Sequence, residues 1–592
     1  MNKQECDILL AMKKHPYSNQ RALAEVTGHS LGIVNRCIRE LIVQGYLDEE
    51  MRLTSKAHKE FLIKSPQRAI ILAAGFGMRM VPINTEVPKA LVEIKGEPLI
   101  ERTIRQLHQV GIREIYIVVG FMKEKFEYLI DAYGVELMVN PEYARKNNLH
   151  SMKRVLDYLS NSYIIPCDIW CRENPYRENE LYSWYMVSEG DNRESSVRVN
   201  RKMELVRCST AELGNAMIGI SYLTGTEAET VKENICSLCL NARYDGAFWE
   251  EALYRENKML VTARVVPASE TIEINTYEQL REFDSDSNHL KTEAIRIIAE
   301  VFQVTVGDVK NIEVLKKGMT NRSFKFTCKD KKYIMRIPGE GTERLIDRKQ
   351  EAKVYETLAG KDICDPVIYM NPENGYKITE FMKEARVCNP DEWNDVAKCM
   401  KKLRQFHEMD LKVDHEFDLF SQVDFYESLW AGVPSIYIDY KLTKEKMKSL
   451  TAYIQSHVER KTLSHIDAVP DNFLFVKDDN GKEKIFLIDW EYAGMQDPHI
   501  DIAMFGIYSL YNREQMDQLI DLYFDGKCSK EIRIKIYCYI AVCGLLWSNW
   551  CEYKRNLGVE FGEYSLRQYR YAKEYYRIVE EEWRKLEGKK HA

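Results

Sequence analysis

The chain has 592 residues, with 84 Lys and Arg against 91 Asp and Glu, a formal charge of −7. At about 150 residues per domain this is a chain of several domains, and its 45% hydrophobic and 30% charged content is ordinary for globular protein. With 16 Pro and 29 Gly it is neither low-complexity nor collagen-like, and the mild acidity argues against a protein that mainly coats nucleic acid or anionic lipid. The start, MNKQECDILLAMKKHPYS, lacks the basic lead, apolar core and small-residue cleavage site of a secretory signal. The longest apolar run, Ile536 to Trp547, is shorter than the roughly 18–20 residues that span a bilayer and reads as a buried helix. The 15 cysteines are scattered and odd in number, which reads as reduced thiols in the cytoplasm. Cys236 and Cys239 have no partner pair and no His at finger spacing, so a zinc site is not expected there.

Residues 1–65 read as short helices. Asn19 to Val26 is followed by a Thr27-Gly28-His29-Ser30 turn. Ser30 caps a second helix, Leu31 to Gln44, with Ile33, Val34, Cys37, Ile38, Leu41 and Ile42 at helical spacing. Gly45 stops it, and Tyr46 to Thr54 reads as a hairpin. Helix, turn, helix and hairpin resemble a winged helix-turn-helix domain, and the resemblance implies Asn35, Arg36 and Arg39 as groove-reading residues. The acidic hairpin residues Asp48, Glu49 and Glu50 would sit badly against phosphates. DNA binding and packing against neighbours both stay open.

Residues 67–285 lie between the seams Lys64-Ser65-Pro66 and Asp284 to Asn288. Strands at Ala69 to Ala73 and Glu114 to Val119 alternate with helices at Leu99 to Gln109 and Lys123 to Tyr133. That alternation predicts a parallel sheet with helices on both faces. The first strand runs into Ala73-Ala74-Gly75-Phe76-Gly77-Met78-Arg79, where glycines let backbone N–H groups approach phosphate oxygens. Pro88-Lys89-Ala90-Leu91 and Gly96-Glu97-Pro98-Leu99-Ile100-Glu101 follow. The full string resembles the sugar-phosphate nucleotidyltransferases, which transfer NMP from an NTP to a phosphate. It implies nucleotide contacts from Ala73, Ala74, Gly75, Gly77 and Gly120. Arg79 and Lys89 would act on the triphosphate and the incoming phosphate, neutralising charge at the α-phosphorus. Asp168, at the end of a buried strand, would hold Mg²⁺. The second ligand falls on Asn275, with Glu273 and Glu250 as competitors. Within this family Val118 to Phe121, Asn147 to Ser151 and Phe248-Trp249 look most like CTP:phosphocholine cytidylyltransferases. Trp249 faces either a quaternary ammonium or the core.

Residues 290–592 change pattern. Ile312 to Lys317, Asn321 to Cys328 and Lys332 to Ile337 read as successive strands, followed by a helix around Arg348 to Leu358 and a strand at Tyr376 to Glu380. The remainder is mainly helical. His465-Ile466-Asp467 with Asn472, and then Asp489-Trp490-Glu491-Tyr492, supply the groups phosphoryl transfer needs: Asp467 to orient the attacking hydroxyl, and Asn472 and Asp489 as oxygen ligands for Mg²⁺. This segment resembles the choline/ethanolamine kinases and, more distantly, aminoglycoside phosphotransferases. The resemblance implies Thr320 and Asn321 in a phosphate turn and Arg336 as the phosphate-contacting cation paired with Glu351. It also implies Glu380 and Met382 at the adenine hinge, and Asp501 as a brace for the catalytic loop. Trp547 and Trp550, three apart on a helix, share a face. With Tyr492 they form a candidate cage for a trimethylammonium, and Glu491 is its candidate counter-charge.

These resemblances together imply a multidomain α/β enzyme with an N-terminal winged helix, a Rossmann-like nucleotidyltransferase domain and a C-terminal bilobal protein-kinase-like α+β domain. The joint expectation is that choline and ATP give phosphocholine, and phosphocholine and CTP give CDP-choline and pyrophosphate. Mg²⁺ would serve both sites, in the cytoplasm and without a membrane partner. A sugar-phosphate nucleotidyltransferase fused to an ethanolamine or other small-molecule kinase, and a DNA-binding metabolite sensor, are the alternatives. Monomer and homo-oligomer both stay open.

Overall fold

The computed structural model describes all residues except 16, 18, 194, 210–211, 316–320, 340–341, 343–344, 478–479, 558, 560 and 591–592. The chain divides into two compact units, Met1–Arg296 and Ile297–Ala592.

The first unit begins with four helices: α1 (Lys3–Lys14), α2 (Gln20–Thr27), α3 (Leu31–Val43) and α4 (Ser55–Lys64). Asn19 caps α2 by accepting from the Ala22 N–H, and Ser30 caps α3 by accepting from the Ile33 N–H. Gly45 takes a φ of 76° after α3, where a side chain would be strained. The hairpin reduces to one antiparallel bridge, Leu47 to Leu53. Of the residues expected to read a groove, Arg36 and Arg39 are exposed, whereas the Asn35 amide turns back to donate to Gln20 Oε1 at 3.1 Å.

These helices do not close their core alone. Leu181 joins the cluster of Ile8, Leu9, Val34, Ile38 and Phe61. The Tyr182 hydroxyl donates to Asp7 Oδ1 at 2.9 Å, and the His29 ring bonds Asp7 Oδ2 at 3.0 Å. The Asn161 amide donates to the Ile63 carbonyl at 2.9 Å. The winged-helix segment is thus anchored on the sheet domain that follows it.

That domain is a ten-stranded sheet with nine strands on its main path. In chain order they are β1 (Arg68–Ala73), β2 (Glu114–Val119), β3 (Glu136–Val139), β4 (Ser162–Pro166), β5 (Trp184–Asn192), β6 (Val197–Val199), β7 (Glu204–Arg207), β8 (Gly214–Leu223) and β9 (Lys258–Val266). They lie side by side as β3-β2-β1-β4-β8-β5-β9-β7-β6. Only β3, β2, β1 and β4 form the parallel block that the strand–helix alternation predicts. Beyond β4 the sheet is mixed: β8 runs antiparallel to both β4 and β5, while β9 runs parallel to β5. The sequence lacks a strand–helix alternation there because β5 to β8 follow one another through loops. The helix α5 (Leu99–Gln109) falls where its periodicity places it, and the stretch from Lys123 divides into a 3₁₀ turn and α6 (Tyr128–Tyr133).

Beyond a helix that ends at Phe302, the second unit carries an antiparallel five-stranded sheet. Its strands are β10 (Lys310–Val314), β11 (Asn321–Cys328), β12 (Lys331–Pro338), β13 (Val367–Met370) and β14 (Lys377–Glu380). The helix α7 (Arg348–Leu358) lies between β12 and β13 in the chain. A helical portion follows, in which α8 (Trp393–Glu408), α9 (Ile500–Tyr508), α10 (Arg513–Phe524), α11 (Lys530–Asn556) and α12 (Glu563–Lys590) pack round one apolar core. The apolar run Ile536 to Trp547 is the middle of α11. That helix is long and apolar enough to cross a membrane by length and composition, yet nearly all of its most apolar stretch is buried inside the protein.

The anchoring of the winged-helix segment is open to test. Leu181→Ala should cost ~2–4 kcal/mol and Tyr182→Phe ~1 kcal/mol. Amide exchange across α1 to α4 should accelerate in both variants. Exchange that stays at the wild-type rate would mean that the four helices are stable without the sheet.

Candidate active sites

In the first unit a cavity of about 630 Å³ opens beyond the carboxyl end of β1. Its wall takes in Ala73, Ala74, Gly75, Gly77, Arg79 and Lys89. Gly77 has a φ of 60°, and a Cβ there would stand 3.2 Å from Lys89 Cβ, so the glycine lets the lysine stem lie against the loop. The fully buried Asn84 amide donates to the Phe76 and Gly77 carbonyls at 3.0 and 3.2 Å and fixes that loop from behind.

Asp168 and Asn275, far apart in sequence, meet because Ile169–Cys171 pairs antiparallel with Thr271–Glu273. The Ile274 N–H donates to the Asp168 carbonyl at 3.0 Å, extending that ribbon to the site. Lys89 Nζ donates to Asp168 Oδ2 at 2.5 Å and to Asn275 Oδ1 at 2.6 Å, and Arg79 Nη2 donates to the same Asn275 oxygen at 2.8 Å. The Asn275 amide in turn donates to Glu273 Oε1 at 2.5 Å, which aims its carbonyl oxygen at the cations. Two hard oxygen donors already attract an ammonium, and the same donor set suits Mg²⁺. Of the competing ligands, Glu273 contacts Asn275. Glu250 is elsewhere: it accepts from the Tyr185 hydroxyl at 3.0 Å, and burial pushes its pKa up to about 7.

Two expectations fail on geometry. Trp249 is 1% exposed and packs in the core with Leu149, Val155 and Ile235, because the short 3₁₀ helix Trp249–Leu253 turns that side chain inward. It does not face a substrate. Gly120 does not line the cavity; a Cβ there would stand 2.6 Å from the Tyr143 ring, so its role is to admit that ring. Tyr143, with Phe76 at 5.1 Å, then forms an aromatic corner of the wall beside Arg145 and Lys146. Tyr143, Arg145 and Lys146 carry no motif signal, and only the fold brings them to the Gly-rich loop.

In the second unit Asp467 follows Ile466, which has a φ of 68°, and Asp489 has a φ of 67°. Asp501, in the first turn of α9, accepts from the His465 N–H at 2.8 Å and the Ile466 N–H at 2.7 Å. It is itself bonded by the His407 ring at 2.9 Å. The brace therefore includes His407, on α8, which the sequence motifs do not reveal. His465 is buried and bonds the Ile488 carbonyl at 3.0 Å; burial holds its pKa down at about 4. The Asn472 amide donates to the Asp467 carbonyl at 2.8 Å and Oδ2 at 3.1 Å, leaving its carbonyl oxygen on the opposite side. Burial first, then the Asp489 and Glu491 charges, push Asp467 up to about 8, and burial also raises Asp489. Carboxylates so placed, with an amide oxygen beside them, fit a divalent cation.

Arg336 and Glu351 form a buried two-point ion pair, the second bond at 3.0 Å. Glu380 ends β14, and Met382 follows just beyond it. Thr320 lies outside the described residues. Asn321 starts β11, and its amide donates to Glu491 Oε2 at 3.1 Å. Glu491 is also met by Arg348, so it is not the free counter-charge expected for a substrate cation. The aromatic residues do gather: Tyr492 meets Trp547 edge-on at 6.1 Å, Trp547 meets Trp550 at 5.6 Å, and Trp550 meets Phe561 at 5.2 Å. Trp550 is largely buried, while Trp547 is half-buried and its ring N–H lies 3.0 Å from Met504 Sδ.

The comparisons with known proteins divide along the same lines. Residues 1–48 match a winged helix-turn-helix DNA-binding model, 69–175 a MobA-like NTP transferase model, and 312–523 a choline/ethanolamine kinase model. The choline-phosphate cytidylyltransferase of Streptococcus pneumoniae is 31% identical over 231 residues, which is 37% of this chain and 96% of the relative. The chain belongs to that cytidylyltransferase family. Protein LicA of Haemophilus influenzae is 25% identical over 270 residues, 42% of this chain and 96% of the relative. The solved choline kinase LicA from Streptococcus pneumoniae is 27% identical, covering 48% of this chain and 100% of that one with a TM-score of 0.42. The protein is thus an enzyme that joins a cytidylyltransferase-family domain to a choline kinase-like domain behind a winged helix-turn-helix segment.

Asp501→Ala would release two backbone N–H groups and let Ile466 leave its left-handed conformation, which costs a β-branched residue roughly 1–2 kcal/mol to hold. The kinase kcat should fall by about a hundredfold or more, with the cytidylyl-transfer rate of the same chain unchanged. Equal losses in both activities would point to global unfolding instead.

Proposed function

We propose that the enzyme phosphorylates choline with ATP and transfers CMP from CTP to the resulting phosphocholine, giving CDP-choline and pyrophosphate. The observation that carries this reading is the pairing, in one chain, of two sites whose relatives share phosphocholine as product and as substrate. The choline-phosphate cytidylyltransferase relative and the choline/ethanolamine kinase model matched by residues 312–523 support it.

For the kinase step, Asp467 orients the choline hydroxyl and draws off its proton as the oxygen attacks the γ-phosphorus and ADP leaves. Asn472 and Asp489 would hold Mg²⁺, which neutralises charge on the phosphates when bound. Arg336, set by Glu351, contacts ATP phosphate oxygens, Asn321 helps to cradle them, and Glu380 with Met382 flank the adenine. The indole faces of Trp547 and Trp550 and the Tyr492 ring receive a trimethylammonium, which offers no hydrogen bond but is attracted to a π face.

For the transfer step, the phosphocholine phosphate attacks the α-phosphorus of CTP and pyrophosphate leaves. Lys89 and Arg79 neutralise the charge that develops there. The backbone of the Gly75-to-Gly77 loop carries the triphosphate. Asp168 and Asn275 would hold Mg²⁺, which would supply further positive charge to the triphosphate, and Lys89, beside both oxygens, reaches the phosphate.

Product analysis by mass spectrometry tests the scheme. The wild-type protein with choline, ATP, CTP and Mg²⁺ should give CDP-choline. Asp168→Asn should stop at phosphocholine, and Asp467→Asn should make CDP-choline only from supplied phosphocholine. Ethanolamine and hexose 1-phosphates, offered in parallel, should be poorer substrates; preferential use of a hexose 1-phosphate would overturn the transferase reading.

A further inference from the structure

Arg348, the first residue of α7, belongs to no motif that the sequence singles out, yet its guanidinium is 8% exposed and ringed by acceptors. Its Nη1 lies 2.8 Å from Glu351 Oε2 and 3.4 Å from Glu491 Oε2. Its Nη2 lies 3.4 Å from Thr342 Oγ1 and 3.5 Å from Asn321 Oδ1. The stem is confined as well: Gly375 has a φ of 72°, and a Cβ there would stand 2.7 Å from Arg348 Cδ. Any side chain at 375 would push the guanidinium away.

The partners have different duties. Glu351 also holds Arg336, and Asn321 begins the strand that leaves the candidate phosphate turn. Glu491 stands between Asp489 and the aromatic Tyr492 in the chain. Arg348, Glu491 and Tyr492 also line one cavity of about 560 Å³, together with Phe425 and His415. One planar cation thus ties the nucleotide end of the site to the segment that carries an acceptor-facing ring. A guanidinium fork can set one nitrogen against the two carboxylates and the other against the Thr342 and Asn321 oxygens, whereas an ammonium is a single point of charge.

We propose that Arg348 is a positioning residue for the acceptor: by holding Glu491 it sets the Tyr492 ring against Trp547, and so fixes affinity for the ammonium substrate rather than for ATP. The inference rests on the choline-kinase reading. Because Glu351 keeps its own contacts to Arg336, loss of Arg348 leaves the phosphate-contacting cation in place. Glu491, by contrast, keeps the Asn321 amide at 3.1 Å but loses the cation that Arg348 supplies.

The test is steady-state kinetics on the full-length protein, with choline and ATP varied separately. Arg348→Gln and Glu491→Gln should each raise the KM for choline at least fivefold and change the KM for ATP less than twofold. The double variant should be no worse than the poorer single one, since both remove one contact. Arg348→Lys keeps a cation beside buried Glu351 and guards against a folding failure of the glutamine variant. It should still raise the choline KM, because one ammonium cannot replace the contacts of both Nη1 and Nη2. Cytidylyl transfer from supplied phosphocholine should stay at the wild-type rate in all four. An unchanged choline KM, an equal rise for ATP, or full restoration by lysine would overturn the proposal. A wild-type protein that phosphorylates no choline would instead overturn the functional reading beneath it.

Discussion

Carboxylates taken from water and set near one another persist as anions only where cations or N–H groups meet them. Both candidate sites are arranged around that constraint. In the transferase cavity Asp168 is met by Lys89, whose second bond, to Asn275, fixes the ammonium between two oxygens. In the kinase-like unit Glu351 and Glu491 are met by Arg336 and Arg348. Asp501, fully buried, is met by two backbone N–H groups and a histidine. Asp467 accepts from the Asn472 amide, and burial together with the nearby Asp489 and Glu491 charges raises its pKa. Protein cations compensate the structural carboxylates. In the kinase-like unit Asp467 and Asp489 are half-buried near each other, a repulsion that a divalent ion would relieve.

The chemistry-bearing strings were legible in the sequence because each is local. A Gly-rich loop after an apolar strand, an Asp closing a buried strand, and His-x-Asp followed by Asn all sit within a few residues of their own scaffold. The helices α3 and α5 were legible for the same reason, their caps and apolar periods lying inside the segment. Juxtapositions that depend on long-range pairing were not. Nothing local to Asn275 says that its oxygen meets Lys89, since that follows from the ribbon between Ile169–Cys171 and Thr271–Glu273. Tyr143 reaches the cavity only because Gly120 admits it. Trp249 misled because an aromatic next to acidic residues looks the same in sequence whether a 3₁₀ turn aims it inward or outward. The parallel sheet was read too far because alternation was visible only up to β4.

The N-terminal segment gains a physical place from the same kind of long-range contact. Asp7 is engaged inward, by Tyr182 of the sheet domain and by His29 of the turn between α2 and α3. Leu181 fills the core that the four helices leave incomplete. A change in the turn that orients α3 therefore acts on a carboxylate that the transferase domain also holds. The exposed part of α3 still carries Arg36 and Arg39, so a surface for a partner and a rigid mount for it coexist in the first unit.

The backbone shows where the kinase-like unit concentrates its constraints. Ile466 and Asp489 both take left-handed φ values, which cost a non-glycine residue free energy and persist only when neighbours over-determine them. At Ile466 the neighbour is Asp501, bonding the N–H groups on either side of the His465 carbonyl. At Asp489 the flanking residues are held instead: the Ile488 N–H donates to the Asn472 carbonyl at 3.0 Å, and the Trp490 ring N–H donates to the Leu487 carbonyl at 2.9 Å. The strand Phe473–Lys477 pairs with Glu483–Leu487 and carries Asn472 at one end. One short hairpin thus fixes the separation of Asn472 and Asp489, while a buried helix N-terminus fixes Asp467. Two devices thus place three oxygen-bearing residues, and the Asn472 amide, donating to Asp467 Oδ2 at 3.1 Å, joins one to the other.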